Sequence, residues 1–407
     1  MTRRVVVTGA GAVTCVGIGV EAYWDALVHG RSGIRPISTF ETAHLRSRIA
    51  GEIRDFDPLA FMDKGEASSM DRTNQLAMAA VALAGGDRLP SGRGTGVVVG
   101  TGIAGIGSHD AAQKTYFEKG PRFILPNSIP KVMYNAGAGL ISMKYRLTGP
   151  GFTVSTACAS GSHAIGEAFR MIRHGYADVM VAGGMDATLS PNMFTGWCAM
   201  RILSQHNDTP ETACRPFSRD RDGMVLGEGA AFVILEELSA ARARGAAILA
   251  EIVGYGSSYD ASHITAPSAD GQAAAIRSAL EEAELGPGDL DWINAHGTGT
   301  LLNDKTETRA VRMVLGDAAA RTPMSSIKPM IGHTLGASGA IAFVASCMAM
   351  RDGIIPPTIN YTEPDPECDL DYVPNEARRA PVRRVMTNAF GFGGNNAVLI
   401  AQHPEEP

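Results

Sequence analysis

Short runs of β-branched and other apolar residues alternate along the chain with longer alanine-rich stretches. In the first half of the chain, these runs fall at residues 5–8, 96–100, 152–155 and 178–182. Runs of four or five apolar residues without polar alternation are typical of strands that are buried on both faces. The alternation therefore predicts an α/β protein in which helices cover a sheet.

The same pattern begins again after a charged stretch at residues 235–245, which is predicted to be helical. Further strands are predicted at residues 250–254, 292–295, 323–326, 384–388 and 397–400. We therefore expect two α/β halves, residues 1–250 and 251–407. A chain of 407 residues is too long for one ordinary hydrophobic core, which agrees with this division.

The composition allows a large core and argues against two classes of partner. Hydrophobic residues make up 45% of the chain, and the formal net charge is −6 with no run of Lys or Arg, so a nucleic-acid surface is not expected. The uncharged stretch at residues 329–350 is interrupted by Gly, Ser, Thr and His333, which makes it too polar to span a membrane. We interpret it as a loop that enters a buried helix.

The cysteines indicate neither a disulfide framework nor a metal site. The six are scattered without a CxxC pair, at Cys15, Cys158, Cys198, Cys214, Cys347 and Cys368. This distribution favours a protein of the reducing cytoplasm with no bound metal.

One glycine motif resembles a nucleotide-binding signature but is incomplete. Gly9 and Gly11 follow a predicted strand, whereas Thr14 stands where the dinucleotide fingerprint has its last glycine. We interpret the segment as a tight turn between a strand and a helix. A nicotinamide oxidoreductase has no other support in the sequence.

Cys158 is the candidate nucleophile. It lies in the segment VSTACASGSH at residues 154–163, where a strand is predicted to run into a helix. The unpaired N–H groups of a helix start favour thiolate, so a lowered pKa is expected for Cys158. The small neighbours Ala157, Ala159, Ser160 and Gly161 leave room for a carbonyl group to approach the sulfur. The alternative is a buried structural thiol.

Two histidines in glycine-rich turns are candidates for the same site. His296 lies in NAHGTGT (294–300) and His333 in SIKPMIGHTLG (326–336). Lys328 would add a positive charge, and Thr298 and Thr300 would supply hydroxyl groups for an extended substrate. A single histidine is more often a polar group of the core, and Lys328 could equally be a solvated surface lysine.

A third glycine-rich turn, NAFGFGGNN at residues 388–396, follows another predicted strand. It could bring a backbone N–H close to the thiol, and its Phe392 could act as a hinged gate. The alternative is a simple hairpin turn.

Taken together, the four segments STACASG, NAHGTGT, SSIKPMIGHTLGASG and NAFGFGGNN, in this order, resemble the elongating β-ketoacyl-acyl carrier protein synthases of type II systems. The likeness spans essentially the whole chain. It implies a thiolase-like fold, in which two similar α/β halves stack as five αβαβα layers, and a dimer.

The resemblance also implies roles for the candidate residues. Cys158 would take an acyl chain from the phosphopantetheine of an acyl carrier protein. His296 and His333 would bind the malonyl thioester carbonyl and promote decarboxylation, and Lys328 would support them. The backbone N–H groups of Cys158 and Phe392 would form the oxyanion hole, with Phe392 also gating the acyl pocket.

Substrate-binding and docking residues follow from the same resemblance. Thr298 and Thr300 would hold the pantetheine arm, Ile103 would line the acyl tunnel, and Trp197 would stand near its entrance. No bound cofactor is expected, because the substrates arrive on the carrier protein. The candidates for docking the acidic carrier protein are Lys64, Arg122 and Arg201.

Several positions depart from the family pattern. Ala342 stands where a glutamate commonly partners the lysine, so the support of Lys328 is open. Ser68 and Ser69 leave fewer basic residues in the cluster that docks the carrier protein in the fatty-acid enzymes. Asn127 and Ser128 stand where those enzymes commonly have aromatic residues in the dimer-interface loop. These departures imply a reshaped acyl tunnel and an altered carrier partner.

Four functions therefore have to be compared. The leading one is a condensation that extends an acyl chain by two carbons in fatty-acid synthesis. Its alternative is the catalytic ketosynthase subunit of a type II polyketide or polyene synthase, as a homodimer or with a chain-length-factor partner. A degradative thiolase would need a cysteine in place of Phe392, and a non-catalytic chain-length subunit would lack Cys158.

Overall fold

The computed structural model of the protein describes residues 3–90 and 94–404. The strands are β1 (Val5–Thr14), β2 (Gly17–Ile18), β3 (Arg35–Pro36), β4 (Ile49–Gly51), β5 (Thr95–Gly100), β6 (Gly151–Val154), β7 (Val179–Asp186), β8 (Leu226–Gly227), β9 (Gly229–Glu237), β10 (Ala250–Tyr259), β11 (Trp292–Asn294), β12 (Met324–Ser325), β13 (Ile354–Ile355), β14 (Arg378–Arg379), β15 (Arg384–Gly391) and β16 (Asn395–Gln402).

The α-helices are α1 (Val20–Val28), α2 (Lys64–Ser69), α3 (Arg72–Leu83), α4 (Ile106–Lys119), α5 (Ser128–Val132), α6 (Ala136–Tyr145), α7 (Ser160–Arg173), α8 (Pro191–Ala199), α9 (Leu238–Ala243), α10 (Ala269–Ala283), α11 (Leu301–Leu315), α12 (Lys328–Ile331) and α13 (Ser338–Asp352). Short 3₁₀ turns occur at Pro58–Ala60, Gly86–Arg88, Pro121–Phe123, Ala157–Ala159, Pro210–Thr212, Gly316–Ala320, Leu335–Ala337 and Phe392–Gly394.

The main sheet consists of two halves with the same strand order. Read outwards from the centre, the first half runs β1-β9-β7-β5-β6 and the second runs β10-β16-β15-β11-β12, and the halves join where β1 pairs antiparallel with β10. In each half the first two pairings are antiparallel and the outer two are parallel. The prediction of two similar α/β halves is confirmed by this repeated topology. The boundary near residue 250 stays a prediction, and β10 begins at Ala250.

The helices complete five layers in the order αβαβα. Helices α7 and α13 lie together between the two halves of the sheet, α3 and α6 cover the outer face of the first half, and α10 and α11 cover that of the second half. Strand β5 illustrates why helices are needed on both faces of the sheet. Val98 packs with the central helices, whereas Val97 and Val99 pack with α3. Both faces of the strand are buried, as its continuous apolar sequence predicts.

The central helices approach closely because their contact is made by small residues. A Cβ at Gly161 of α7 would lie 2.8 Å from the carbonyl oxygen of Gly336 and 3.0 Å from the Cβ of Ala340. Helix α13 is buried from Ser338 to Met350, which confirms the prediction of a loop that enters a buried helix. This packing brings the start of α7, which comes directly after the turn that carries the candidate nucleophile, against the start of α13.

The predicted turn at Gly9 and Gly11 was wrong, because β1 continues through both residues to Thr14. The two glycines face α3, and a Cβ at either position would overlap the main-chain carbonyls of Ala84 and Ala80. Glycine is therefore needed for the close approach of a helix to the strand rather than for a turn.

The helix predicted at residues 235–245 was also partly wrong. Strand β7 continues to Asp186, and β9 is paired along that stretch. Residues 235–237 belong to β9, and only Leu238–Ala243 of the charged stretch is helical. Pairing with β1 and β7 extends the apolar run of β9 further than its charges suggested.

None of the helices in the described part of the chain has the length and apolar character needed to cross a bilayer.

Candidate active site

A cleft of about 340 Å³ lies where the two halves meet, and it brings together most of the residues singled out from the sequence. Cys158 follows β6, and His333 follows β12, the equivalent edge strand of the other half. Because the two halves repeat one topology, these equivalent strand ends converge. The predicted residues in the wall are Cys158, Trp197, Arg201, His296, Thr298, Thr300, His333 and Phe392.

Cys158 lies in a 3₁₀ turn between β6 and α7. The preceding Ala157 has φ +50°, a left-handed conformation that aims the next side chain out of the turn. The buried hydroxyl of Ser160 holds the turn, because it accepts from the N–H of Thr156 at 2.8 Å and donates to the carbonyl of Ala157 at 2.7 Å. These hydrogen bonds fix the position of the sulfur on the turn of residues 156–160, which we call the elbow.

The expected lowering of the thiol's pKa was wrong. Burial raises the pKa of Cys158 to about 11, although the charge of Lys328 and the backbone N–H of Phe392 both oppose the rise. The thiol is 7% exposed, and α7 begins only at Ser160, two residues further on. Desolvation of the thiolate therefore outweighs the helix start.

The turn that follows β15 contacts the elbow through its main chain. A Cβ at Gly391 would lie 2.9 Å from the carbonyl oxygen of Thr156 and 3.1 Å from the amide nitrogen of Cys158. The backbone N–H groups of Phe392 and of Cys158 itself both act to lower the pKa of the thiol, against the larger effect of burial. Two main-chain donors thus lie close to the sulfur, beside which the oxyanion of a bound substrate would form.

His296 and His333 lie edge to face, with their ring centroids 5.3 Å apart. Burial and the charge of Lys328 lower the pKa of both rings well below the ordinary value, so both are neutral at physiological pH. Nδ1 of His333 accepts from the backbone N–H of Leu335 at 3.2 Å, which leaves the ring proton on Nε2. His333 is therefore a neutral donor.

Lys328 is 3% exposed, so the alternative of a solvated surface lysine was wrong. Its Nζ donates to the main-chain carbonyl of His296. Burial lowers the pKa of Lys328, and the carboxylate of Glu307 opposes that change. The lysine thus lies behind the histidines as a buried charge rather than in the cleft wall.

Glu307 is a site residue that the sequence analysis missed. Its carboxylate accepts the backbone N–H groups of His296 and Gly297, both at 2.8 Å, and the side-chain amide of Asn388 at 3.1 Å. It is buried on α11, three residues after the buried Asp304. Two acids spaced by three residues on the apolar face of a helix were the signal that could have found it.

Ala342, the position where the resemblance expects a glutamate, contributes no carboxylate. It is buried in α13, and its main-chain carbonyl accepts the side-chain amide of Asn294 at 2.8 Å. The carboxylate that supports Lys328 therefore comes from α11, through Glu307, instead of from α13.

Thr298 and Thr300 form a polar part of the wall. Their hydroxyl groups lie 2.9 Å apart, and that of Thr300 caps α11 by accepting the N–H of Asn303. Asp304 accepts the backbone N–H of Thr298 at 3.1 Å. The helix cap and the buried acid keep both hydroxyl groups at the edge of the cleft.

Trp197 and Phe392 stack across the cleft, with their ring centroids 6.0 Å apart and their planes at 28°. The exposed Arg201 also lies in the wall, whereas Ile103 lies outside it. Lys64, at the start of α2, and Arg122, in a 3₁₀ turn, are exposed away from the cleft wall. The substrate and docking roles of these residues stay predictions.

Comparison with protein families shows two matches that follow one another along the chain. The N-terminal domain of β-ketoacyl synthases matches residues 2–241, and the C-terminal domain of β-ketoacyl synthases matches residues 249–362. Among relatives, 3-oxoacyl-[acyl-carrier-protein] synthase 2 of Synechocystis sp. is 46% identical over 404 residues, which cover 98% of this chain and 97% of the relative. That of Coxiella burnetii is 44% identical over 405 residues and 98% of each chain.

Solved structures show the same likeness in three dimensions. The ishigamide ketosynthase/chain length factor is similar with a TM-score of 0.92 and 39% identity, over 99% of both chains. A type II polyketide ketosynthase in complex with its acyl carrier protein has a TM-score of 0.91 and 33% identity, over 99% of this chain and 100% of that chain. A β-ketoacyl synthase from Burkholderia phymatum has a TM-score of 0.91 and 38% identity, over 98% of this chain and 99% of that one. The chain belongs to the β-ketoacyl synthase family.

Proposed function

We propose that this protein condenses malonyl-acyl carrier protein with an acyl chain held on Cys158, releasing carbon dioxide and extending the chain by two carbons in fatty-acid synthesis. The observation that carries the proposal is the convergence of Cys158, two neutral histidines and the N–H of Phe392 in one cleft. The partner is an acyl carrier protein, which presents both substrates on its phosphopantetheine.

The first step loads the enzyme. Cys158 attacks the thioester carbonyl of acyl-carrier protein, and the developing oxyanion accepts from the N–H groups of Cys158 and Phe392. The carrier's thiol then leaves and takes up the proton that Cys158 gave up. Because the pKa of Cys158 is raised, the nearby charge of Lys328 serves to make the thiolate accessible during attack.

The second step forms the new carbon–carbon bond. His296 and His333 donate to the carbonyl oxygen of malonyl-carrier protein, so that loss of carbon dioxide leaves an enolate whose negative charge they stabilise. The enolate carbon attacks the acyl carbonyl on Cys158, and collapse of the tetrahedral intermediate expels the thiolate. The product is a β-ketoacyl-carrier protein. Neutral rings can fill this role, because the protonated nitrogen of a neutral imidazole donates a hydrogen bond to the oxyanion.

Other residues of the cleft bind and admit the substrates in this proposal. Thr298 and Thr300 hold the pantetheine arm, and Phe392 gates the acyl pocket while stacked on Trp197. Ile103 lines the tunnel beyond that gate. The acidic carrier protein is docked by exposed basic residues, namely Lys64, Arg122 and Arg201.

A second subunit covers the apolar surface between α4 and β6. Helix α4 has no buried residue, and Phe117, Leu125 and Ile129 are 80%, 63% and 68% exposed. Apolar surface of this kind marks a protein interface. The assembly is a homodimer or a ketosynthase/chain-length-factor heterodimer. The free thiols of all six cysteines suit a reducing cytoplasm, where we place the enzyme.

The second candidate is the catalytic ketosynthase of a type II polyketide or polyene pathway. It is favoured by the likeness to the ishigamide ketosynthase/chain length factor and to the polyketide ketosynthase, and by Asn127 and Ser128 in place of interface aromatics. The chemistry at Cys158 is the same in both candidates, and only the acyl chain differs.

The test is to incubate the purified protein with malonyl-carrier protein and a panel of acyl-carrier proteins, and to read Cys158 acylation and product by intact mass spectrometry. Loading of saturated chains followed by a product two carbons longer supports fatty-acid elongation. Activity confined to unsaturated or polyketide chains, or dependent on a partner subunit, supports the second candidate. No condensation with any chain or partner would overturn the proposal.

A further inference from the structure

Asp186 is a buried acid at the end of β7, fully enclosed by the protein. Its carboxylate accepts four hydrogen bonds. Oδ1 accepts from the hydroxyl of Thr101 at 2.8 Å and the N–H of Ile103 at 3.1 Å. Oδ2 accepts from the N–H of Gly102 at 2.8 Å and that of Gly336 at 2.6 Å.

These donors belong to two different turns. Residues 101–103 follow β5 and include Ile103, whereas Gly336 lies in the 3₁₀ turn Leu335–Ala337 that follows His333. The same turn fixes the second histidine, since Leu335 donates its N–H to Nδ1 of His333. Asp186 therefore joins one turn from each half of the molecule.

The two turns are in direct main-chain contact. A Cβ at Gly336 would overlap the amide nitrogen of Gly102, so neither turn can move towards the other. The turn after β5 also packs under the nucleophile's helix, because the hydroxyl of Ser160 lies 3.2 Å from the carbonyl of Thr101. The carboxylate thus lies where the segments that hold Cys158, Ile103 and His333 in place meet.

Burying a carboxyl group at this position costs free energy. All four donors are uncharged, and burial raises the pKa of Asp186 to about 6, although the four hydrogen bonds oppose the rise. A group that served only packing would be apolar, because burying a carboxylate without a cation costs free energy. An acceptor with two oxygens is needed only if several N–H groups must be held together.

We propose that Asp186 is a positioning residue that fixes the turn carrying Ile103 and the turn after His333 in one arrangement relative to Cys158. One carboxylate then positions both the part of the acyl tunnel wall that Ile103 forms and the histidine that binds the malonyl carbonyl. The inference rests on the proposed function, because the roles of Cys158, Ile103 and His333 come from it.

The test is Asp186→Asn, which keeps the shape of the side chain but replaces one acceptor oxygen with an NH₂ group that can only donate. Decarboxylation of malonyl-carrier protein is measured in a Cys158→Gln background, because it then reports on the histidines without acyl transfer. We expect its kcat to fall about tenfold, the effect of losing roughly one hydrogen bond to a charged group. We expect KM for malonyl-carrier protein to change less than about threefold, since the proposed pantetheine contacts are untouched.

A milder variant and a matched control separate positioning from general destabilisation. Thr101→Val deletes one of the four donors, and we expect a fall in the same kcat of about threefold. Glu251→Gln alters another buried acid, which pairs with Arg4 far from the cleft, and we expect a lower melting temperature with unchanged decarboxylation.

Unchanged decarboxylation in Asp186→Asn and Thr101→Val would overturn the inference. So would an equal loss in Glu251→Gln, because the effect would then follow stability alone. If Asp186→Asn does not fold, Thr101→Val alone decides in the same way. Failure of the unmodified protein to condense any substrate would instead overturn the proposed function.

Discussion

The buried Nζ of Lys328 donates a hydrogen bond to the main-chain carbonyl of His296. This contact places a positive charge behind the cleft, where it lowers the pKa of both histidines and opposes the raised pKa of Cys158. In the proposed mechanism, one lysine therefore favours neutral histidines as donors to the malonyl carbonyl and a thiolate that takes the acyl chain. Glu307 balances its charge from α11.

Cys158→Ala should abolish condensation while the protein stays folded. The change removes the nucleophilic thiol from the cleft wall and leaves a small cavity, so we expect product to fall below detection and the melting temperature to change by a few degrees at most. Intact mass spectrometry and thermal unfolding check the two parts. Retained condensation would contradict the role of Cys158.

Cys158→Gln should release carbon dioxide from malonyl-carrier protein without any acyl loading. The amide group would occupy the place of the acyl thioester, with its carbonyl held by the backbone N–H of Phe392. The measurement is carbon dioxide release against a heat-denatured sample. Release at the background rate would count against the roles given to His296 and His333.

The decarboxylation rate of Cys158→Gln should be flat from about pH 6 to pH 8. An ordinary histidine has a pKa of about 6.5 and would lose activity as pH falls through that value. Because the pKa of His296 and His333 lies well below it, both rings stay neutral over this range, and the loss begins only at lower pH. A fall centred near pH 6.5 would show that one ring titrates normally.

Lys328→Met should raise the pKa of Cys158 further, because the cation that favours its thiolate is lost. We expect slower alkylation by iodoacetamide at pH 8 to 10, with the alkylation profile moved to higher pH. Lys305→Met, which removes a partly exposed lysine of α11 that pairs with Glu367, is the matched control and should alkylate like the unmodified protein. Equal profiles for all three proteins would exclude an effect of Lys328 on the thiol.

Glu307→Gln should lower both activity and stability. Its amide group cannot accept all three of the hydrogen bonds now donated by His296, Gly297 and Asn388, and it carries no charge to balance Lys328. We expect the free energy of unfolding to fall by about 1–3 kcal/mol and condensation to fall about tenfold or more. Urea unfolding and steady-state rates measure these changes, with Asp317→Asn, an exposed acid in the 3₁₀ turn after α11, as the control. Full activity in Glu307→Gln would show that His296 needs no support from α11.

Much of the architecture could be predicted, because its signals are local. The apolar run at residues 96–100 predicted a strand buried on both faces, and β5 is such a strand. The small residues beside Cys158 and the glycines around His296 and Phe392 indicated turns that could meet in a site, and these turns line one cleft. The predictions failed at Gly9 and Gly11 in β1, because glycines that allow a helix to approach the strand closely were interpreted as a turn.

The sequence by itself indicated most strands of the main sheet, the buried helix after His333, the candidate nucleophile and the two histidines, because these depend on residues that are neighbours along the chain. Only the tertiary structure decided that Lys328 is buried, that Glu307 rather than a residue of α13 supports it, and that Asp186 joins two turns. It also reversed the expected pKa shift of Cys158. The physical reason is that desolvation and long-range hydrogen bonds depend on what surrounds a group in space, and elements distant in the chain supply those surroundings.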